Sequence, residues 1–100
     1  MKIITAQEFE EAIKSNTNVI IQFSADWCGP CKRMTPVLDK FSEARSDVDS
    51  FKVDVGNDNE LAMQYEVKSI PMLAFFKDGE LVKKTVGLID ANKLSDIISQ

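Results

Sequence analysis

The sequence predicts an α/β fold with the element order β-α-β-α-β-α-β-β-α, in which the crossovers are parallel and one hairpin is antiparallel. Two observations lead to this prediction. Residues 19–23 form an almost continuous apolar run rich in β-branched side chains, which is typical of a strand that helices cover on both faces. Residues 77–80 read Lys-Asp-Gly-Glu between two apolar runs, and an Asp-Gly pair in that setting indicates a tight hairpin.

The first strand and helix are indicated by a short apolar pair and a capping pattern. Ile3 and Ile4 predict a short strand. Thr5 and Glu8 have the spacing of a capping box, in which each residue satisfies a free donor of the other at the start of a helix. The apolar residues that follow keep a helical period, so we expect this helix to run to about Ser15.

A second helix is predicted after residue 31 because Met34, Leu38 and Phe41 recur at helical spacing. Pro36 lies inside this segment and cannot donate a backbone hydrogen bond, so we expect a kink there. Residues 51–55 alternate apolar and polar side chains and predict the third strand.

The remaining elements follow from turn and cap signals. Asn57 and Glu60 offer a second capping box and predict a short third helix. Residues 72–76 and 81–86 predict the two strands of the hairpin. Asp90 is expected to cap the last helix. Its predicted buried stripe consists of Leu94, Ile97 and Ile98.

Length, composition and charge limit the class of protein. With 100 residues, of which 44% are hydrophobic, residues 1–100 are expected to form one domain with a real core. Sixteen acidic against twelve basic residues give a net charge of −4, which makes nucleic acids and anionic membranes poor partners. No apolar run approaches the 18 residues of a membrane span, and the first residues do not resemble a signal peptide. We therefore expect a cytoplasmic monomer. Histidine is absent, so no imidazole can serve as base or ligand.

The only two cysteines, Cys28 and Cys31, lie where the second strand leads into the second helix. The first backbone N–H groups of a helix lack partners inside the helix, and its dipole is positive at that end. A Cys28 thiolate at this position is stabilised relative to the thiol, so more of it is nucleophilic near neutral pH. Cys31 lies one turn further on, where it can attack a mixed disulfide formed at Cys28. Gly29 and Pro30 form a stiff link between the two sulfur atoms.

Three other interpretations of the cysteine pair remain open at this stage. A structural zinc site needs four ligands, and the chain offers no third cysteine and no histidine. A purely structural disulfide across so short a loop would add little stability. A metal or iron–sulfur site shared between two chains is geometrically possible. Redox chemistry is favoured over all three.

Beyond this reasoning, the segment from Trp27 to Lys32 resembles the active-site segment of the thioredoxin family. An isoleucine–proline pair, Ile70-Pro71, and a valine–glycine pair, Val86-Gly87, stand where that family has its two further active-site loops. The resemblance spans essentially the whole chain. It implies a thioredoxin fold with a mixed five-stranded sheet and helices on both faces.

The resemblance also implies roles for individual residues. Cys28 corresponds to the attacking cysteine and Cys31 to the resolving one. Pro71 corresponds to the family's cis proline, which leaves a backbone edge free to pair with substrate. The apolar groove that receives an extended substrate segment is implied to comprise Trp27, Gly29, Pro30, Ile70, Pro71, Val86 and Gly87.

Gln22 departs from the family pattern. Thioredoxins commonly carry a buried aspartate there, which is thought to accept the proton of the resolving cysteine, whereas an amide cannot titrate. If Gln22 is buried it must find hydrogen-bond partners. Asp26 is expected to be solvated and not to replace that aspartate. Lys52, the usual neighbour of the aspartate, would lack its carboxylate partner. A second departure is Met72, for which core packing is favoured over a role in the groove.

The resemblance therefore implies a protein-disulfide reductase that uses no cofactor of its own. Its partners would be disulfide-containing proteins and an NADPH-dependent thioredoxin reductase. Two alternatives stay open. One is a specialised disulfide oxidant or isomerase, against which the Gly-Pro pair between the cysteines argues. The other is a binding or assembly subunit with incidental thiols.

Overall fold

A computed structural model describes residues 1–100, and its elements follow the predicted order. Five strands and four helices are present. In chain order they are β1 (Lys2–Ile3), α1 (Ala6–Ala12), β2 (Asn18–Ser24), α2 (Gly29–Ala44), β3 (Val48–Asp54), α3 (Asn59–Gln64), β4 (Met72–Lys77), β5 (Glu80–Val86) and α4 (Ala91–Ile98).

The strands form one mixed sheet in the order β1-β3-β2-β4-β5. β3 pairs parallel with β1 and with β2, while β4 runs antiparallel to β2 and to β5. The predicted α/β fold with parallel crossovers and one antiparallel hairpin is confirmed. Because β2 is a central strand whose two faces are both covered by packed cores, its seven residues are all buried, which explains the apolar run in the sequence.

The helices cover both faces of the sheet, and a separate core fills each side. On one face α1 and α3 pack over the sheet, with Phe9, Ile21 and Phe76 among the buried side chains. On the other face α2 and α4 pack around Leu38 and Leu94. Alternate residues of β2 point to opposite cores, as the period of a strand requires.

The predicted caps of α1 and α4 and the predicted hairpin turn between β4 and β5 are confirmed. The Glu8 carboxylate accepts a hydrogen bond of 3.0 Å from the backbone N–H of Thr5, as the capping box requires. The carboxylate of Asp90 accepts one of 2.9 Å from the backbone N–H of Lys93. The hairpin turn has a φ of 52° at Asp78 and 83° at Gly79, and positive φ at both central residues is what an Asp-Gly hairpin turn needs.

The helix α1 is shorter than predicted and ends at Ala12 rather than near Ser15. The chain keeps turning, but the N–H of Lys14 bonds to the carbonyl of Glu11 and that of Ser15 to that of Ala12, each at 3.1 Å. These bonds span three residues instead of four, so the last turn is tighter than an α-helix.

The capping box predicted at Asn57 is wrong, because α3 begins only after Asp58. The carboxylate of Asp54 explains the shift. Its Oδ1 accepts hydrogen bonds from the backbone N–H groups of Gly56 at 2.8 Å and Asn57 at 3.1 Å. This turn holds residue 57 outside the helix.

The predicted bounds of β1 and β3 differ by a few residues. Ile4 follows β1, yet it is buried and its N–H donates to the carbonyl of Lys52 at 2.8 Å.

Pro36 lies inside α2, where its missing N–H leaves one helical bond unmade. None of the four helices is long and apolar enough to cross a membrane.

Candidate active site

The two cysteines lie at the start of α2, directly after the carboxyl end of β2. They are joined by a disulfide, with a distance of 5.3 Å between their Cα atoms. Cys28 is the N-cap of α2, and its sulfur accepts a hydrogen bond of 3.2 Å from the backbone N–H of Cys31. That N–H is one of the donors at a helix start that have no partner within the helix. The position predicted for Cys28 is therefore found.

Both cysteines are buried, with 4% of Cys28 and 1% of Cys31 exposed to solvent. They form a small apolar cluster with Ala25, against which Val55 and Ile70 pack. Water therefore has little access to the bond between the sulfurs, and a reaction partner has to approach over the exposed surface around them.

That surface begins with the link between the cysteines. Gly29 and Pro30 are both exposed, and the proline stands in the first turn of α2, where a missing N–H costs nothing. Trp27 precedes the pair and is 80% exposed. A large apolar ring so open to water is uncommon on a small protein and indicates a contact surface.

The Ile70-Pro71 loop and the Val86-Gly87 loop, both expected beside the cysteines, contact each other. The peptide bond between Ile70 and Pro71 is cis. The carbonyl of Pro71 accepts a hydrogen bond of 2.8 Å from the N–H of Gly87, whose φ of +89° suits a residue without a side chain. Val86 is exposed and pairs in register with Met72.

Ile70 connects these loops to the redox pair and to the tryptophan. It packs against the cysteine cluster, and with Trp27 it lines a cavity of about 190 Å³ that extends toward α3. Of the residues that the resemblance assigned to the groove, the structure thus places Trp27 and Ile70 on one cavity and joins Pro71 to Gly87. No sequence pattern pointed to the α3 side of this cavity, which Asn59, Ala62, Val67 and Lys68 help to line.

Gln22 lies at the centre of β2 and is fully buried, with 0% exposure. Its amide nitrogen donates a hydrogen bond of 2.9 Å to the carbonyl of Cys31. Its amide oxygen lies 3.2 Å from the hydroxyl of Thr35, which is also 3.1 Å from the Cys31 carbonyl. The hydrogen-bond partners that a buried Gln22 requires are therefore present. Thr35 was missed, although its place four residues after Cys31 puts it one helical turn away.

Lys52 and Asp26 occupy the places expected for them. Lys52 pairs in register with Gln22, and Asp26 is exposed. Both line a polar cavity of about 80 Å³ together with Lys32 and Asp54. Met72 is buried in the core on the α1 side of the sheet, which agrees with the packing role favoured for it.

Comparison with known proteins agrees with this geometry. The family model "Thioredoxin" matches residues 1–100. A curated thioredoxin of Mycoplasmoides gallisepticum is 37% identical over 99 residues, which cover 98% of this chain and 99% of that protein. A thioredoxin of Chlamydia trachomatis is 41% identical over 100 residues, which cover 100% and 97%.

Solved structures match over nearly the whole chain. A mutant thioredoxin from Halobacterium salinarum is 36% identical with a TM-score of 0.90, and the match covers 99% of this chain and 87% of that one. Mitochondrial thioredoxin 3 from Saccharomyces cerevisiae, in its oxidised form, is 36% identical with a TM-score of 0.86, covering 100% and 94%. The chain therefore belongs to the thioredoxin family of thiol–disulfide oxidoreductases, and the bonded sulfurs at the start of α2 are its redox-active pair.

Proposed function

We propose that this chain is a protein-disulfide reductase in which Cys28 attacks the substrate and Cys31 resolves the mixed disulfide. The observation that supports these roles most directly is the hydrogen bond from the Cys31 N–H to the Cys28 sulfur. In the reduced protein the same N–H would stabilise a thiolate at Cys28, together with the positive end of the α2 dipole. Cys31 lies within the helix, is the more deeply buried, and receives no such contact.

The reaction then runs in two exchanges. The Cys28 thiolate attacks one sulfur of the substrate disulfide, and the other sulfur leaves as a thiolate. Cys31 loses its proton and attacks the Cys28 sulfur, which releases the second substrate thiolate and closes the bond between Cys28 and Cys31. Two electrons pass from the protein to the substrate. They are returned by an NADPH-dependent thioredoxin reductase, which is the partner that we propose.

We propose that the exposed residues around the pair bind an extended segment of the substrate. Apolar surface is supplied by Trp27, Val86 and the loop at Ile70. Gly87 has no side chain that could block this surface. The backbone N–H and carbonyl of Ile70 form no hydrogen bond within the chain. A strand-like substrate segment can pair with these free groups, in the manner of β-augmentation.

We further propose that resolution does not use a titrating side chain at position 22. The amide of Gln22 cannot take up the Cys31 proton, and its hydrogen bonds hold the first turn of α2 against the sheet. Water or the departing substrate thiolate is then the proton acceptor. Gly29 and Pro30 lie between the two cysteines. Together with Gln22 they set the redox properties of Cys28 and Cys31 by fixing the positions of the two sulfur atoms.

The setting of this activity is proposed on the same basis. Residues 1–100 act as one domain and as a monomer in the cytoplasm, where disulfides are kept reduced. The net charge of −4 supports protein substrates rather than nucleic acids as partners.

The test is NADPH-coupled reduction of insulin with a thioredoxin reductase, run on the wild type, on Cys28→Ser and on Cys31→Ser. We expect both variants to stop turnover, but only Cys31→Ser to accumulate a mixed disulfide with the substrate. Accumulation on Cys28→Ser instead would reverse the two roles. A reduction potential far above the approximately −270 mV of thioredoxins would favour a specialised oxidant. A partner complex that survives replacement of both cysteines would favour the binding subunit.

A further inference from the structure

Two cations beside the redox pair have no partner within the chain. Arg33 and Lys68 form neither a salt bridge nor a side-chain hydrogen bond, and both are exposed. Their position rather than their lack of a partner sets them apart, since most lysines of the chain also form no salt bridge. Glu66, two residues before Lys68, lies 3.6 Å from Lys84, so its charge is already offset.

Arg33 reaches back over the link between the two cysteines. A Cβ placed on Gly29 would lie 3.9 Å from a terminal nitrogen of the Arg33 guanidinium. The guanidinium therefore stands next to the surface that a substrate has to cross to reach Cys28. The first turn of α2 contains no acidic residue. Because cations near the start of a helix oppose its dipole, this arrangement does not serve the stability of α2.

Lys68 stands at a second place on the same surface. It lines the cavity of about 190 Å³ that Trp27 and Ile70 also line. The charged residues that line the neighbouring polar cavity are two of each sign. Lys32 and Lys52 share a polar cavity with two aspartates, Asp26 and Asp54. Counted over these two cavities and Arg33, the charge is therefore positive, on a chain whose net charge is −4.

We infer that Arg33 and Lys68 select disulfide substrates that carry acidic side chains beside the reactive cysteine. This inference rests on the reductase function and substrate surface proposed above and adds the class of substrate. Carboxylates of a bound segment would pair with the guanidinium over Gly29 and with the ammonium beside Trp27. Since the rest of the molecule is acidic, the preference is a property of this surface and not of the net charge.

The test compares three peptides that form symmetric disulfide dimers and differ only beside the cysteine, where they carry Glu, Gln or Lys. Each second-order rate constant of reduction is divided by that for dithiothreitol, which removes the effect of the flanking charge on the disulfide itself. At an ionic strength of 0.15 M the Debye length is about 8 Å, so distant charges contribute little. The quantity measured is the rate ratio of the Glu peptide to the Lys peptide.

The variant is Arg33→Met with Lys68→Met, and the matched control is Lys14→Met with Lys77→Met. The control removes two positive charges at the opposite end of β2, because Lys14 packs against the hairpin turn and Lys77 pairs with Asn18. Exposed ion pairs of this kind are worth roughly a threefold change in rate each. We expect the wild type to favour the Glu peptide, the variant to lower the ratio about tenfold, and the control to leave it within about twofold.

Other outcomes overturn the inference in separable ways. If the variant keeps the wild-type ratio, Arg33 and Lys68 do not select substrates. If the control lowers the ratio as much as the variant, net charge is the cause. If the wild type reduces all three peptides equally, the reductase function stands and the selectivity is wrong. If it reduces none of them, the reductase function itself fails. In support, raising the ionic strength to about 0.5 M should bring the wild-type ratio toward one.

Discussion

The side-chain amide of Gln22 donates a 2.9 Å hydrogen bond to the backbone carbonyl of Cys31. This bond joins the middle of the sheet to the first turn of the helix that carries both cysteines. Thr35 completes the arrangement, because its hydroxyl lies within hydrogen-bond distance of the amide oxygen of Gln22 and of the same carbonyl. A buried amide that is satisfied at both ends costs little and fixes the position of the groups that it contacts.

Replacing Gln22 with Asp should introduce a titrating group behind Cys31. We expect disulfide reduction to become faster above neutral pH, or its pH profile to shift, because a carboxylate can take up the Cys31 proton. The measurement is the pH dependence of the rate with insulin as substrate. An unchanged profile in a folded variant would show that the proton goes elsewhere.

The same Gln22→Asp variant should also change the pH dependence of stability. Burial raises the pKa of a carboxyl group, so the folded variant binds a proton more tightly than the unfolded chain. Its free energy of unfolding should therefore fall as pH rises from about 4 toward neutral, by roughly 1.4 kcal/mol for each pH unit that its pKa is raised. Urea unfolding of variant and wild type at pH 5 and pH 8 measures this, with Gln22→Asn as the non-titrating control. Parallel behaviour of the Asp and Asn variants would contradict it.

Replacing Thr35 with Val keeps the shape of the side chain but removes its hydroxyl. The amide oxygen of Gln22 then loses its partner inside the protein, which should lower the free energy of unfolding by about 1–2 kcal/mol. Thr35→Ser is the control, because it keeps the donor. Urea denaturation should rank the wild type and Ser above Val, and equal stability of all three would argue against the arrangement.

Glu8 should contribute stability that depends on pH. Its hydrogen bonds with Thr5, first from the backbone N–H and then with the side chain, hold the pKa of Glu8 below its ordinary value of 4.5. A lowered folded pKa means that the stabilisation is present above about pH 4.5 and is lost as pH falls through the folded value. Glu8→Gln should therefore be less stable than the wild type at pH 7 and similar to it near pH 2–3, as thermal unfolding can show. A difference that persists unchanged in acid would mean that charge is not its cause.

Tyr65 should contribute to alkaline unfolding. Burial of its ring, and secondarily the negative charge of Glu10, raise the pKa of Tyr65 above its ordinary value of 10.0. The ring lies 5.3 Å from that of Phe9 and 5.9 Å from that of Phe76. Because the folded state resists ionisation, stability should fall as pH rises above about 10. Tyr65→Phe should weaken this fall between pH 9 and pH 11, which urea denaturation of both proteins measures. Because Tyr65 is the only tyrosine, tyrosinate absorbance of the wild type reports its ionisation directly. An identical fall in the variant would assign the effect to other groups.

The order of the elements and the place of the cysteines were predictable because they depend on local signals. The Asp-Gly pair at residues 78 and 79 dictates a turn that needs positive φ twice, whatever surrounds it. The run in β2 predicts a strand covered on both sides because only such a strand can be apolar at every position. The helical period that begins at Met34, directly after an apolar strand, likewise places Cys28 and Cys31 at the start of a helix.

Contacts between distant parts of the chain were decided by the tertiary structure alone. Thr35 meets Gln22 only because α2 packs on the face of the sheet to which Gln22 points. Lys68 comes to line the same cavity as Trp27 through the path of the chain in space. Local sequence fixes torsion angles and periodicity, whereas the partner of a side chain depends on how complete elements pack against one another.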